Sequence, residues 1–460
     1  MKIGYLPLIT NGGGVFRKVF DWKSTVPIIN NTLKLFKELG TKISYIGNPI
    51  NISKGWLKSE KLFLEEKIDV LFVHNLNIVG GEPLYNLTKT LEVPVIIASI
   101  PEPANLYEPP YTARYASFCG GQWNINMCYL GNIKAKFLFG NPEEEKFKYN
   151  LKKTLKAIDT INKLKEWKVC LIGDKTPGYY GAIYSEDLLM REFGAKVVFL
   201  DFGMLSLLEK DINESKVSDF AKSYYRKEDI DKMLSTEHIN NTVRAYLALD
   251  KYAKENGISS YTMKCVPETI FILGACPCGI NSILIEKGYI SGCEGDILTT
   301  LTMQISYLLS SKKPLQVDIM SIREPNDSML LWHCGAGAPS IAGSNKVTYT
   351  NSPILCDGKG KAQGVCVNFI PQYGKMNVCQ LSEDWKTQNY RFFTADGETR
   401  ETKPFIGGNP IRIKFNILGE ELGHYIIDNH LPHHFQIVGE SISSYIEEFC
   451  FWKDIDLLRV

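Results

Sequence analysis

Residues 264–318 read KCVPETIFILGACPCGINSILIEKGYISGCEGDILTTLTMQISYLLSSKKPLQVD, and the spacing of their apolar residues changes partway along. Ile297, Leu298, Leu301, Ile305, Leu308 and Leu309 recur on one helix face. Lys312, Lys313 and Pro314 end that helix, and Leu315, Val317 and Ile319 then alternate with Gln316, Asp318 and Met320 as in a strand. A strand expected at 261–265 leads into the stretch, so helix and strand succeed one another, as they do around a parallel sheet. Three acids, Glu268, Glu294 and Asp318, stand where segments begin or end.

The reading places Glu294 at a helix start, where free N–H groups and the helix dipole favour an ionised carboxylate. Asp318 is expected to point away from the apolar face of its strand. A carboxylate at a helix start and another on the following strand can converge, which builds an oxygen-rich site for a divalent cation. The plainer alternative is a capping Glu294 and a solvated Asp318.

The chain before this stretch alternates in the same way. Residues 2–9 read as a strand, and the loop Asn11-Gly12-Gly13-Gly14 leads to Arg17 and Lys18 without a dinucleotide or P-loop pattern, so no nucleotide site is assigned. Helical spacing over 28–39 stops at Gly40. The short apolar runs 68–73 and 94–98 suit parallel strands covered on both faces. They end near His74, Asn75 and Ser99, at the strand ends where ligands gather in such sheets. The proline-rich segment 101–111 is a loop, and a helix follows over 142–164. A second domain opens near 166 with a strand at 167–173, the loop DKTPGYYG at 174–181, a helix at 185–193 and a strand at 196–200. That loop, with Pro177 and two tyrosines and no Lys-Ser or Lys-Thr after it, reads as a plain connection. Residues 209–257 are largely helical.

Past 321 glycine and proline become frequent, and helical periodicity is absent until about 441. Strands are expected at 329–332, 346–349, 364–369, 375–381, 390–395 and 411–415, with a closing helix. The expected fold is α/β: two doubly wound parallel-sheet domains, 1–165 and 166–312, followed by a β-rich, barrel-like domain, 313–460.

The chain has 460 residues, so roughly three domains of about 150 residues are expected. Its 52 Lys and Arg nearly balance 51 Asp and Glu, which gives no basic field for nucleic acid. No apolar run approaches the roughly 18 residues that span a bilayer, and the N-terminus lacks a signal-peptide pattern. A cytoplasmic protein is expected, with neither nucleic acid nor membrane as partner. The 12 cysteines show no disulfide-rich spacing. Cys276-Pro277-Cys278 has no second pair at zinc spacing and reads as buried loop thiols.

Five of the seven histidines lie between 333 and 434, and two are adjacent in Pro432-His433-His434. If that segment is extended, the two rings point to opposite sides, so one faces a metal and the other orients substrate. His333, in Trp332-His333-Cys334-Gly335, is a further ligand or a pocket wall.

Taken together, KCVPE at 264–268, CEGD at 293–296, VD at 317–318, WHCG at 332–335 and PHH at 432–434 resemble the L-fucose isomerase and L-arabinose isomerase family, more closely its fucose branch. The resemblance implies a homo-oligomer, trimer or hexamer, in which the first domain of one subunit helps close a neighbour's active site. It implies a divalent cation, manganese with cobalt as the alternative, held by Glu294, Asp318 and His434, with His433 as the register alternative. His333 would enter on the arabinose branch. The activity implied is aldose–ketose isomerisation of an open-chain sugar through a cis-enediolate, with Glu294 and Asp318 as the acid–base pair. Lys264, Glu268, Trp332, His333, His433 and Arg17 are the expected substrate contacts. A non-catalytic sugar-binding protein and a metal-dependent epimerase or lyase are the competing expectations.

Overall fold

The computed structural model describes residues 1–10, 22–49, 55–103, 115–404 and 406–460. The chain forms two compact units, Met1–Asp159 and Thr160–Val460. In the first, β1 (Lys2–Leu8), β2 (Lys42–Ser44), β3 (Val70–Asn75), β4 (Val95–Ser99) and β5 (Ala135–Phe139) make one parallel sheet in the order β2-β1-β3-β4-β5. Every residue of β3 and β4 is buried, as continuous apolar runs require. At their carboxyl ends the Asn75 amide donates to the Val79 carbonyl at 2.8 Å and the Ser99 hydroxyl to the Ser117 carbonyl at 2.9 Å. These polar groups tie down the loops that follow them.

The second unit opens with β6 (Lys168–Ile172), β7 (Lys196–Leu200), β8 (Ser260–Met263) and β9 (Ile290–Cys293), a parallel sheet in the order β7-β6-β8-β9. The chain continues through β10 (Leu315–Glu324), β11 (Ser328–Trp332), the ribbon of β12 (Thr348–Thr350) and β13 (Cys366–Asn368), β14 (Lys375–Asp384), β15 (Asn389–Arg400), β16 (Ile411–Phe415), β17 (His434–Val438) and β18 (Asp456–Arg459). The antiparallel order β14-β17-β10-β11-β16-β15 closes on itself through a β14–β15 pairing. The result is a six-stranded barrel, which leaves no open edge among those strands. The fold is therefore α/β, with parallel sheets followed by a β barrel. One apolar core runs through Met263, Ile283, Val317, Leu331, Val378 and Phe435, so segments 166–312 and 313–460 share a core inside one unit.

Two elements depart from expectation. A helix, Gly419–Asp428, lies where helical periodicity was not expected, and β18 follows the helix Ser443–Lys453 that was expected to close the chain. Gly419 and Gly423 interrupt the helical signal, yet they are what lets the helix lie on the barrel. A Cβ at 423 would come within 2.7 Å of Ile322 Cγ2 on β10. Close packing offsets the roughly 1 kcal/mol that a glycine costs inside a helix.

The helix Ile297–Ser310 is buried on nearly every side, against β9, β14 and β17. Its Thr300, Thr302 and Ser306 hydroxyls donate to the carbonyls of Asp296, Leu298 and Thr302 at 2.6, 2.7 and 2.8 Å. Local bonding of this kind allows polar residues on the faces that the apolar pattern did not mark. Among the described residues no helix is long and apolar enough to cross a membrane.

Candidate active site

The chain leaves β9 through Cys293-Glu294-Gly295-Asp296, and Glu294 and Gly295 both adopt left-handed backbone, with φ of +65° and +76°. The helix cap is Asp296, whose carboxylate accepts the Thr299 N–H and the Thr299 hydroxyl, both at 2.8 Å. Glu294 is thus not at the helix start. It stands two residues upstream, in a conformation that costs a non-glycine residue on the order of 1–3 kcal/mol. The Thr176 N–H holds it there by donating to the Glu294 carbonyl at 3.0 Å.

Gly295 has no such latitude. A side chain there would run into the carbonyl of Asp174 and the Cα of Lys175 at 2.6 Å, in addition to the left-handed strain. Gly295→Ala is expected to destabilise the protein by roughly 2 kcal/mol or more and to abolish the Glu294 geometry, as a urea melt and a turnover assay would register.

From the barrel, β10 sets Asp318 opposite Trp332 on β11 and opposite His434 on β17. Directly opposed residues share a sheet face, so Asp318 and His434 lie on one side. That side is the one away from the strand's apolar face, as expected for Asp318. It is covered at the site rather than solvated: Gln316, also on it, is 2 % exposed and accepts the Cys293 N–H through Oε1 at 2.8 Å.

His434 is the centre of the cluster. Its Nε2 is 2.6 Å from Glu294 Oε2, its Nδ1 2.8 Å from Asp296 Oδ2, and its Nε2 4.0 Å from Asp318 Oδ1. Burial opposes charge on this ring, but hydrogen bonds to Asp296 and Glu294 and the charge of Asp318 win and lift it to about 10. Asp296 is pushed the other way. Burial would raise its carboxyl, and the His434 bond and charge and the Thr299 N–H bring it below the usual range. With Asp296 accepting the Nδ1–H, Nε2 is the nitrogen turned to Glu294 and Asp318.

His433 was expected to face away from its neighbour. Its ring centroid lies 4.0 Å from that of His434, and one ligand atom each of Glu294, His433 and His434 fall within 4.8 Å of one another. The reason is local: His433 precedes β17 in a bend, so the alternation of an extended strand does not apply to it.

Asp318 Oδ1 is buried and has no hydrogen-bond partner among the described residues. A buried acceptor left open beside an imidazole and a second carboxylate would suit a divalent cation. The donor set is oxygen and imidazole nitrogen, which suits manganese or a similar divalent ion. The proton shared by His434 and Glu294 would give way to it.

Tyr179 joins this group without having been anticipated. Its ring meets that of His433 edge-on at 5.3 Å and that of His434 at 6.3 Å. The Glu294 carboxylate, then burial, push its phenol up to about 12, which keeps it a donor. The loop at 174–181 had been read by what it lacked, phosphate-binding residues, whereas its paired tyrosines were the available signal.

The remaining expected contacts are dispersed around the cluster. Lys264, just past β8, is spent on Glu268 at 2.7 Å, and that bond lowers the Glu268 carboxyl. Trp332 donates its indole N–H to the Gly407 carbonyl at 2.7 Å and packs with Cys278, Cys334 and Cys366. His333 is buried, with Nδ1 3.7 Å from Cys334 Sγ, and is not among the three clustered ligand atoms. Cys276 and Cys278 are free, buried thiols as expected, but Cys278 lies in the helix Pro277–Glu286 and not in a loop. Arg17 lies outside the described residues.

No family model matches the chain. Among solved structures, the periplasmic binding protein component of the arabinose ABC transporter from Shewanella sp. ANA-3 covers 68 % of this chain and 87 % of its own at 11 % identity, with a TM-score of 0.18, too low to support a conclusion. Among curated proteins, the chain is similar to the sulfoquinovose isomerase of Alkalicoccus urumqiensis, 24 % identical over 389 residues that cover 83 % of each chain. It is also similar to that of Priestia aryabhattai, 23 % identical over 404 residues, 86 % of this chain and 85 % of the relative. The sulfoquinovose isomerase of Clostridium sp. (strain MSTE9) is 25 % identical over 277 residues, 59 % of this chain and 61 % of the relative.

Proposed function

We propose that this chain is a metal-dependent aldose–ketose isomerase of an open-chain sugar, working through a cis-enediolate. The observation that carries the reading is the convergence of Glu294, just past β9, with Asp318 on β10 and His434 on β17, around an Asp318 Oδ1 that has no hydrogen-bond partner among the described residues. Glu294 Oε2, Asp318 Oδ1 and His434 Nε2 would hold a divalent cation, manganese or cobalt, with His433 beside them. When bound, such an ion supplies Lewis-acid stabilisation of developing negative charge and a template for two neighbouring oxygens.

The chain's own residues do the proton work. One of Glu294 and Asp318 removes the proton at the carbon next to the carbonyl, and the other manages the hydroxyl proton, with the roles exchanged in the reverse direction. Asp296 keeps His434 Nδ1 protonated, so that Nε2 is free to ligate. The names of the curated relatives make sulfoquinovose, an anionic sugar, the first substrate to test. The same reading carries a homo-oligomer whose first unit completes a neighbour's site, which light scattering on a sizing column would detect.

The experiment is a panel of sulfoquinovose, L-fucose and L-arabinose with the protein in Mn2+ and in EDTA, followed by NMR. Ketose formation in Mn2+ alone is expected. Cleavage products, a C2 epimer, or equal turnover in EDTA would overturn the proposal. Mn2+ at about 100 times its Kd is expected to stabilise EDTA-treated protein by about 2.7 kcal/mol, visible as a raised Tm.

A further inference from the structure

The loop 173–182 does more than clamp the main chain of Glu294. Its Thr176 N–H donates to the Glu294 carbonyl at 3.0 Å, its Thr176 hydroxyl accepts the Cys265 N–H at 3.2 Å, and its Tyr179 N–H donates to the Thr176 carbonyl at 3.1 Å. One short segment therefore ties together the carboxyl ends of β6, β8 and β9, and Tyr179 is fixed relative to all three. Its ring stands against both imidazoles, and His434 Nε2 in turn holds Glu294 Oε2 at 2.6 Å, which sets the phenol beside the Glu294 carboxylate.

The cluster is thus supported from two sides. Asp296 orients His434 from the helix, and the Tyr179 ring packs against both histidines from the loop. A carboxylate turns easily about its terminal bond, because that torsion has broad minima. Glu294 has one oxygen on His434 Nε2, and a second partner decides the plane in which the carboxylate lies.

We propose that Tyr179 is a positioning residue for Glu294: its O–H donates to the carboxylate and holds it in the orientation that faces the cation and the substrate. The inference rests on the metal-dependent reading and adds a residue to it. Outer partners of ligating groups typically contribute 10–100-fold to metal affinity or activity.

Tyr179→Phe deletes the hydroxyl and leaves the ring against the histidines. Calorimetric titration of Mn2+ into metal-free protein is expected to show a Kd weakened by about tenfold. At saturating Mn2+, kcat is expected to fall by about tenfold while the sugar KM moves by less than about twofold, the pattern of a lost transition-state contribution. Tyr180→Phe, at an exposed neighbour, is expected to leave both quantities unchanged. Tyr179→Phe with wild-type Mn2+ affinity and wild-type kcat would overturn the positioning role alone. Wild-type protein that takes up no divalent cation would overturn the metal-dependent reading, and this inference with it.

Discussion

Asp318→Asn is expected to lower kcat by about a thousandfold and to leave the metal-free protein as stable as the wild type or more so. The two halves of that expectation have one cause. Three carboxylates, Glu294, Asp296 and Asp318, surround the single imidazole of His434. Glu294 and Asp296 are hydrogen-bonded to it, whereas Asp318 Oδ1 has no partner among the described residues. Without a cation Asp318 therefore adds repulsion at a site that is already negative, and a neutral amide of the same shape relieves it without giving up a bond at Oδ1. On the proposed metal-dependent reading a bound cation would reverse the balance, because the carboxylate would then serve as a ligand and a base. A thousandfold loss corresponds to about 4 kcal/mol of barrier. Melting curves in EDTA and in Mn2+, with turnover, separate the two effects. Turnover within about tenfold of wild type would show that Asp318 is not part of the acid–base pair.

The sequence showed some parts of this site and hid others. The acids Glu294 and Asp318 stood out because each stands where a segment begins or ends, and the parallel sheets were legible because buried strands read as unbroken runs such as 70–73 and 95–98. What decides the geometry is finer than pattern. CEGD offers two acids near a helix start, and only the left-handed turn at Glu294 and Gly295 makes Asp296 the cap and frees Glu294 for the cluster. The histidine pair was misjudged because the strand starts at His434 and not before it. Tyr179 was passed over for a different reason: it meets His433 and His434 from more than 250 positions away, and the paired tyrosines of its loop were the one local signal of it. Asp318 reads as pointing away from the apolar face of an alternating strand, and that pattern does not show that a second layer covers the other face as well.

Asp296→Asn separates the two duties of that carboxylate. Asparagine caps helices about as well as aspartate, so the start of Ile297–Ser310 is expected to survive. What is lost is the negative charge that holds the Nδ1–H of His434 and with it the orientation of Nε2. The expected result is a Kd for Mn2+ weakened by 10–100-fold, roughly the cost of removing an outer partner from a ligating histidine. A second signature appears in metal-free protein. His434 rises from 6.5 to about 10 in the fold, so its charged form contributes stability that is complete below about pH 6.5 and fades as pH climbs through about 10. Asp296 itself, held below the usual carboxylate range, stays ionised throughout that interval and adds no slope of its own. The Tm advantage of wild type over Asp296→Asn in EDTA is therefore expected to be largest near pH 6 and to shrink toward pH 10. An advantage that grew with pH would mean that the ring is buried neutral, and that Asp296 acts on it only as a cap acts on a helix.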